Sequence, residues 1–546
     1  MERMPTEEKM TSEGRTMTAA KEDAINSNIN PLLTDLYQFS MAYAYWKTGK
    51  HNDKAVFDLF FRKNPFGGEF TIFAGLEECL KFVQNFKFTD SMIQNLKTKI
   101  ICPEKFWKWL MTLDSKEVKI YAMKEGSIVF PRCPLMRIEG PLAICQLLET
   151  TLLCLVNYPS LICTNAARHR WAAGKEKDLL EFGMRRAQGP DGAMSASKYA
   201  VMGGFNGTSN VLASIKFGLA CNGTHAHSFV AAFQGIDELK QRSIEGGKGD
   251  FVQLCVEKRK LLKKENTNEG ELAAFISFAQ AFPDRFLALI DTYDTIASGL
   301  WNFLAVSLAL HDIGHKSLGV RLDSGDLAYL SKECRKEFSK IAEEHKIPYF
   351  KKFKIVASNG LSEEIIYELK RQGHEIDTFG VGTNLVTCKS TPALGCVYKL
   401  VELNGVPRIK ISQDVAKVTI PGKKNPYRLY GISGEPAVDI LMGADEKIPE
   451  VKKKILCLHP SETQKKAYCT PTKVESLLSC VFDGEIRIES LAVQEVQEFV
   501  WSQLQQMRCD HLRKLNPTPY KVALSENLHD FMHDMLKKEV PIKPII

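Results

Sequence analysis

Apolar and polar positions follow two different rhythms along this chain, and the change between them divides it. From about Asn28 to Cys163 helical and strand spacings are mixed. Leu33, Leu36, Tyr37 and Met41 recur at helical intervals over Leu32 to Trp46, whereas Ala55 to Arg62 has the period of two that predicts a strand. Between about Asp178 and Thr387 short apolar strands take turns with amphipathic helices such as Leu330 to His345 and Glu363 to Gln372. The strands run into polar loops: EFGMRR (181–186), GTHAHS (223–228), LIDTYDT (289–295), VRLDSGD (320–326), IVASNG (355–360) and FGVGTN (379–384). Alternation of this length predicts a parallel sheet. Reactive side chains at so many successive strand ends favour a barrel, whose ligands sit on its C-terminal rim. An open sheet would gather its ligand at one switch point, and no GxGxxG follows a first strand here. Past about Leu400 the alternation gives way to strands, basic loops and a last helix near Val493 to Leu512.

Composition narrows the function classes. The 546 residues have room for two or three domains, and a net charge of +7 is too small for nucleic acid to be the main partner. Basic runs such as Lys452-Lys453-Lys454 lack the interleaved aromatics of a single-strand binding surface. Fifteen cysteines without a CxxC pair fit reduced thiols in the cytosol. The most apolar stretch, Pro141 to Cys163, contains Gln146, Glu149 and Asn157, so a buried helix is expected there and no membrane span. Met1 to Ser27 is polar without an apolar centre, which predicts a disordered tail and a cytoplasmic protein.

The loops carry the candidate chemistry. Strand alternation puts Arg321 and Asp323 on one face, with Asp326 just beyond a Ser324-Gly325 turn. That set suits a ligand anionic in one part and rich in hydroxyls or metal in another, or else a solvated turn closed by an ion pair. Gly380, Gly382 and Thr383 can cradle a phosphate, and Ser358 to Gly360 has the same character; together they favour a sugar phosphate or diphosphate. His225 and His227 admit three readings: metal ligands, structural imidazoles, or a nucleophile for a phosphoryl group. Phe182 with Arg185 and Arg186 suits a flat anionic ring, or is a core aromatic beside surface arginines. Asp291 and Asp294 could hold a magnesium-bound diphosphate or cap the next helix.

Taken in order, LLTDLYQ (32–38), EFGMRR, GFNGTSNV (204–211), GTHAHSF, RLDSGDL and FGVGTN resemble the nicotinate phosphoribosyltransferases, a type II phosphoribosyltransferase family. The likeness reaches from Leu32 to the last helix. It implies an irregular (β/α) barrel, taken as 164–399, flanked by an α/β domain built from 28–163 and 400–546, with 1–27 as the tail. It also implies that nicotinate is joined to 5-phosphoribosyl 1-diphosphate, giving nicotinate mononucleotide and diphosphate, the first step of NAD synthesis from nicotinate. ATP hydrolysis through a phosphohistidine would drive the reaction, with Mg2+ or Mn2+ as the metal. By position, the catalytic residues would be His227 (the phosphorylated one), Asp323 and Arg321. Nicotinate would meet Phe182, Arg185, Thr224, Ser209 and Arg321, with Tyr37 of a neighbouring subunit opposite Phe182, so a homodimer with shared sites is implied. Gly360, Gly380, Gly382, Thr383 and Asp326 would take the phosphoribosyl diphosphate, and Asp323, Asp326 and Asp291 the metal. The related nicotinamide enzyme carries aspartate where this chain has Ser209, and a carboxylate there would repel nicotinate. Partners would thus be small molecules, with neither nucleic acid nor membrane. The alternatives are a nicotinamide or quinolinate phosphoribosyltransferase, a (β/α)-barrel lyase or aldolase, and a binding protein without catalysis. Lys216 and Lys316 are poorly placed for the Schiff base an aldolase would need.

Overall fold

Six short strands stand side by side, all parallel, in the order Gly207–Thr208, Asp178–Glu181, Thr378–Val381, Lys354–Ser358, Gly319–Leu322 and Leu287–Leu289. The computed structural model describes residues 28–245, 249–412, 417–462 and 464–539; the tail expected over 1–27 lies outside them. The central strands read GVRL, KIVAS and TFGV and are buried almost throughout, as a sheet covered on both faces by helices requires. Because the strands are parallel, the loops expected to carry the chemistry leave from one edge of the sheet.

The barrel is irregular at its seam. GTHAHS was expected to close a strand, but only Cys221 pairs, through one parallel bridge to Thr208. Glycine and asparagine in NGT disfavour a longer ladder. Instead His225 reaches across to the far edge, where its Nε2 accepts the backbone N–H of Leu289 at 3.3 Å. Phe229, Phe275 and Phe278 pack around that imidazole. A side chain thus joins the two edges where strand pairing does not.

The flanking region is built from both ends of the chain. One antiparallel sheet runs Val406–Pro407, Cys396–Leu403, Lys54–Phe61, Met136–Pro141, Lys119–Ala122, Ser479–Asp483. The strand Cys396–Leu403 therefore crosses the edge expected at 399/400. A second sheet, wholly C-terminal, has Val522–Leu524 and Pro436–Gly443 at its centre. The helix expected to be last spans Val493–Gln506 and is followed by another, Glu526–Glu539. Leu528, Phe531, Met532 and Met535 supply its apolar face at helical spacing.

The apolar stretch from Pro141 folds into two consecutive helices, Leu142–Leu147 and the long Glu149–Ala173, which is mostly buried. Its polar residues are used: Gln146 donates to Gln38 at 2.8 Å and to Glu149 at 2.6 Å. Pro159 has no N–H to offer the carbonyl of Leu155. Gly75, at φ +100°, packs so close to that carbonyl that a Cβ would lie 1.9 Å from its oxygen. Two helices that follow barrel strands start at side-chain caps. Asp326 accepts from Tyr329 N at 2.9 Å and opens Leu327–Glu344, three residues earlier than apolar spacing indicated. Ser362 opens Glu363–Gln372.

Candidate active site

Arg321 is the hub of the rim. Strand register holds it beside Val356, and its guanidinium makes three contacts that fix its plane. Nε donates to Ser358 Oγ at 2.8 Å, Nη1 to Thr224 Oγ1 at 3.2 Å and Nη2 to Asp323 Oδ1 at 3.0 Å. Its Cζ lies 5.6 Å from the centre of the Phe182 ring. Asp323 Oδ1 also accepts the Ser358 hydroxyl. Burial alone would raise the Asp323 carboxyl, but the bond from Ser358 and the charges of Arg321 and His227 outweigh it and hold it below the usual range.

His227 stands on the other side of Asp323. Its Nδ1 is 3.1 Å from Thr292 Oγ1, and its Nε2 is 3.5 Å from Asp323 Oδ2 and 4.0 Å from Asp291 Oδ1. If Nδ1 carries the proton toward Thr292, the Nε2 lone pair faces the two carboxylates. Asp291 Oδ2 accepts from Asp323 N and the Ser324 hydroxyl, whereas Oδ1 is buried without a hydrogen-bond partner. His225 is different in kind. Burial pushes it down to about 4, so it is neutral at pH 7 and structural.

A cleft of about 420 Å³ opens beside Arg321 and Asp323. Phe182, Arg185, Arg186 and the Ser358–Ser362 and Gly380–Asn384 loops line it. Arg185, Arg186, Arg321 and Lys389 face a single carboxylate, Asp323, so the cleft favours an anion. Gly380 is required by contact: a Cβ there would lie 2.5 Å from the Phe182 ring. At the other loop Asn359 (φ +71°) and Gly360 (φ +66°) are both left-handed, which turns the backbone sharply at the strand end.

The expected site residues thus divide. Phe182, Arg185, Arg321, Asp323, Gly360, Gly380, Gly382 and Thr383 line one cleft. Thr224, His227 and Asp291 join it through bonds to Arg321 and Asp323. Three residues are not brought in this way. Asp326 is exposed and caps a helix, Ser209 lies one strand away with its N–H on Glu181 O, and Tyr37 is half exposed on the helix Leu36–Lys47. Asp294 caps the turn at Thr295–Gly299, as the capping alternative had it.

Four contributors escaped the sequence reading. Ser358, read there only as part of a phosphate loop, bridges Arg321 and Asp323. Thr292 orients His227. Lys389 adds charge to the cleft mouth, six residues past Thr383, where a lone lysine carries no signal. Glu181 is fully buried: Oε1 accepts Gly183 N, and Oε2 accepts Ser197 Oγ and Thr208 Oγ1, which ties the Phe182 loop to the neighbouring strand. Its place at the end of an apolar strand was the available clue.

Three family models match this chain: the N-terminal domain of nicotinate phosphoribosyltransferase over residues 32–157, the nicotinate phosphoribosyltransferase family over 178–430, and the C-terminal domain over 423–532. A nicotinate phosphoribosyltransferase of Dictyostelium discoideum is 54% identical over 531 residues, spanning 95% of this chain and 90% of that one. The Homo sapiens protein of that name is 41% identical over 540 residues, spanning 96% and 100%. The crystal structure of human nicotinic acid phosphoribosyltransferase matches with a TM-score of 0.83 at 39% identity, covering 92% of this chain and 100% of that one.

Proposed function

The chain belongs to the nicotinate phosphoribosyltransferase family, and from that premise we propose that it joins nicotinate to 5-phosphoribosyl 1-diphosphate and couples the transfer to ATP hydrolysis through His227. The observation that carries this reading is Arg321, held between Thr224 and Asp323 over Phe182, with His227 Nε2 3.5 Å from Asp323.

In the transfer step the pyridine nitrogen attacks the anomeric carbon as the bond to diphosphate breaks, and diphosphate leaves with the electron pair. The transition state is oxocarbenium-like, so the site has to align the reactants and stabilise the departing charge. Phe182 offers a face to the ring, and Arg321 and Arg185 offer cations to anionic groups. The loops at Gly360 and Gly380–Thr383 offer backbone N–H groups to phosphate. Asp323 accepts a ribose hydroxyl or supports the positive charge developing at the anomeric carbon. Nicotinate is preferred to nicotinamide because Ser209 presents no carboxylate.

In the coupling step a His227 nitrogen attacks the γ-phosphorus of ATP, ADP leaves, and water later releases phosphate. An anion arriving beside Asp291 and Asp323 meets like charge, which calls for a divalent cation. Asp291, whose Oδ1 accepts no hydrogen bond, and Asp323, whose Oδ2 faces His227, would hold Mg2+. Bound there, it would neutralise the leaving group. Asp326 is the weaker ligand because it caps a helix. The exposed Tyr37 would complete the site of a second copy, in a cytosolic homodimer. Coupling requires that phosphorylated His227 bind substrates and products with different affinity than the free imidazole does. The test is to incubate the protein with nicotinate and the sugar diphosphate, with and without ATP and with chelator in place of magnesium. Mononucleotide should form with magnesium and accumulate further with ATP, and the chelator should stop it. Formation unaffected by both omissions would overturn the coupling and metal assignments.

A further inference from the structure

The two loops read above as the seat of the sugar diphosphate are both fastened from behind by one helix, Glu149–Ala173. The first loop continues into the single turn Thr383–Thr387, and the chain then swings left-handed at Cys388, φ +47°. Such an ending leaves carbonyls without helical partners. The long helix supplies them. Asn165 Nδ2 donates to the carbonyls of Asn384 and Leu385, both at 3.1 Å, and the Tyr158 hydroxyl donates to that of Val386 at 2.9 Å. Three successive carbonyls are therefore held by two side chains two helical turns apart.

The second loop, Ser358–Ser362, runs straight into the helix Glu363–Gln372. Glu363 Oε2 accepts Arg168 Nε at 2.9 Å and Lys514 Nζ at 3.0 Å. Arg168 comes from the same face of the long helix as Asn165. The space for its guanidinium is provided by Gly68, where a Cβ would lie 2.1 Å from Nη1. Asn165 and Arg168 are 4% and 2% exposed and do not line the cleft. Arg321, read as facing the pyridine, donates to Thr224 and Asp323 outside the two loops and meets the second loop only at its first residue, Ser358.

We propose that Asn165 and Arg168 are positioning residues for the sugar diphosphate, setting the spacing of the two phosphate loops from one helix and acting on the pyridine side far less. The inference rests on the substrate reading above. Buried side chains that lock binding backbone in this way act on the bound geometry, where displacements near 1 Å are costly.

Steady-state kinetics with each substrate varied in turn tests it, with three variants. Asn165→Ala should raise the KM for the sugar diphosphate roughly tenfold to a hundredfold and leave that for nicotinate within about twofold. Glu363→Gln, which keeps the shape and removes the charge facing Arg168 and Lys514, should shift the same constant in the same direction by less. It reads the proposal even if Asn165→Ala does not fold. Thr383→Val perturbs the loop directly and is the control. If Thr383→Val raises the sugar-diphosphate KM while the other two raise both constants alike, lower only kcat or change nothing, the positioning role is overturned. If Thr383→Val itself leaves that KM unchanged, the substrate reading falls instead.

Discussion

Two clusters of acid and base, one in the C-terminal sheet and one on the barrel rim, use the same residue types to opposite ends. In the sheet Arg428 grips Asp439 through contacts of 2.8 and 2.9 Å, and Tyr520 donates to the same carboxylate at 2.9 Å. Side-chain exposure is 6% for Arg428 and 0% for Asp439, and both carboxylate oxygens are used. On the rim His227 is 43% exposed, Asp323 is 23% exposed, and Asp291 Oδ1 has no hydrogen-bond partner. A sealed pair spends its bonding capacity on the fold. An open cluster keeps capacity in reserve, and a protein tolerates that where a ligand will use it.

The largest effects should separate the two. Asp439→Ala strands a buried guanidinium and should cost about 3–5 kcal/mol of stability, read as a shifted denaturant midpoint. Whatever remains folded should turn over near the wild-type rate. Asp323→Ala should do the reverse, lowering kcat/KM for transfer by about a hundredfold to a thousandfold with little change in the midpoint. Similar kinetic losses in both variants would erase the distinction.

A smaller effect sharpens it, because His225 lies among the rim residues yet behaves like the sealed pair. Burial holds its folded pKa near 4, below the ordinary 6.5, so the unfolded chain takes up the proton first. The stability it contributes is complete above about pH 6.5 and lost as pH falls toward 4, amounting to about 2 kcal/mol between pH 7 and 5. His225→Leu should flatten that part of the stability profile, as measured by chemical denaturation at both pH values. An unchanged slope would remove His225 from the seam.

The smallest expected effect adds a charge on the open side. Ser209→Asp should shift the nicotinate-to-nicotinamide ratio of kcat/KM toward nicotinamide by about tenfold, worth about 1.4 kcal/mol. Competition between the two pyridines in one assay reads it, and an unmoved ratio would exclude Ser209 from specificity.

What the sequence disclosed follows from the range of the interactions involved. The parallel sheet, the rim and the Arg321–Asp323 pairing rest on periodicity and near neighbours, and these were legible. The seam was not, because the bond from Leu289 to His225 joins residues 64 apart where a strand looked adequate. The capping role of Asp326 was not legible, because a cap and a ligand use the same carboxylate and only the helix beginning at Leu327 reveals the cap. Thr292 and Glu181 act by orienting other groups, a role that leaves no local pattern. The helix Glu526–Glu539 did leave one, in the spacing of Leu528, Phe531, Met532 and Met535.

The most direct test of the account is transfer of labelled phosphate from γ-labelled ATP to the protein. Wild type should take up an acid-labile, alkali-stable label, and His227→Ala should take up none while retaining slow transfer of the phosphoribosyl group to nicotinate. Labelling of His227→Ala at the wild-type level would contradict the assignment of the open cluster as the point where ATP enters the reaction.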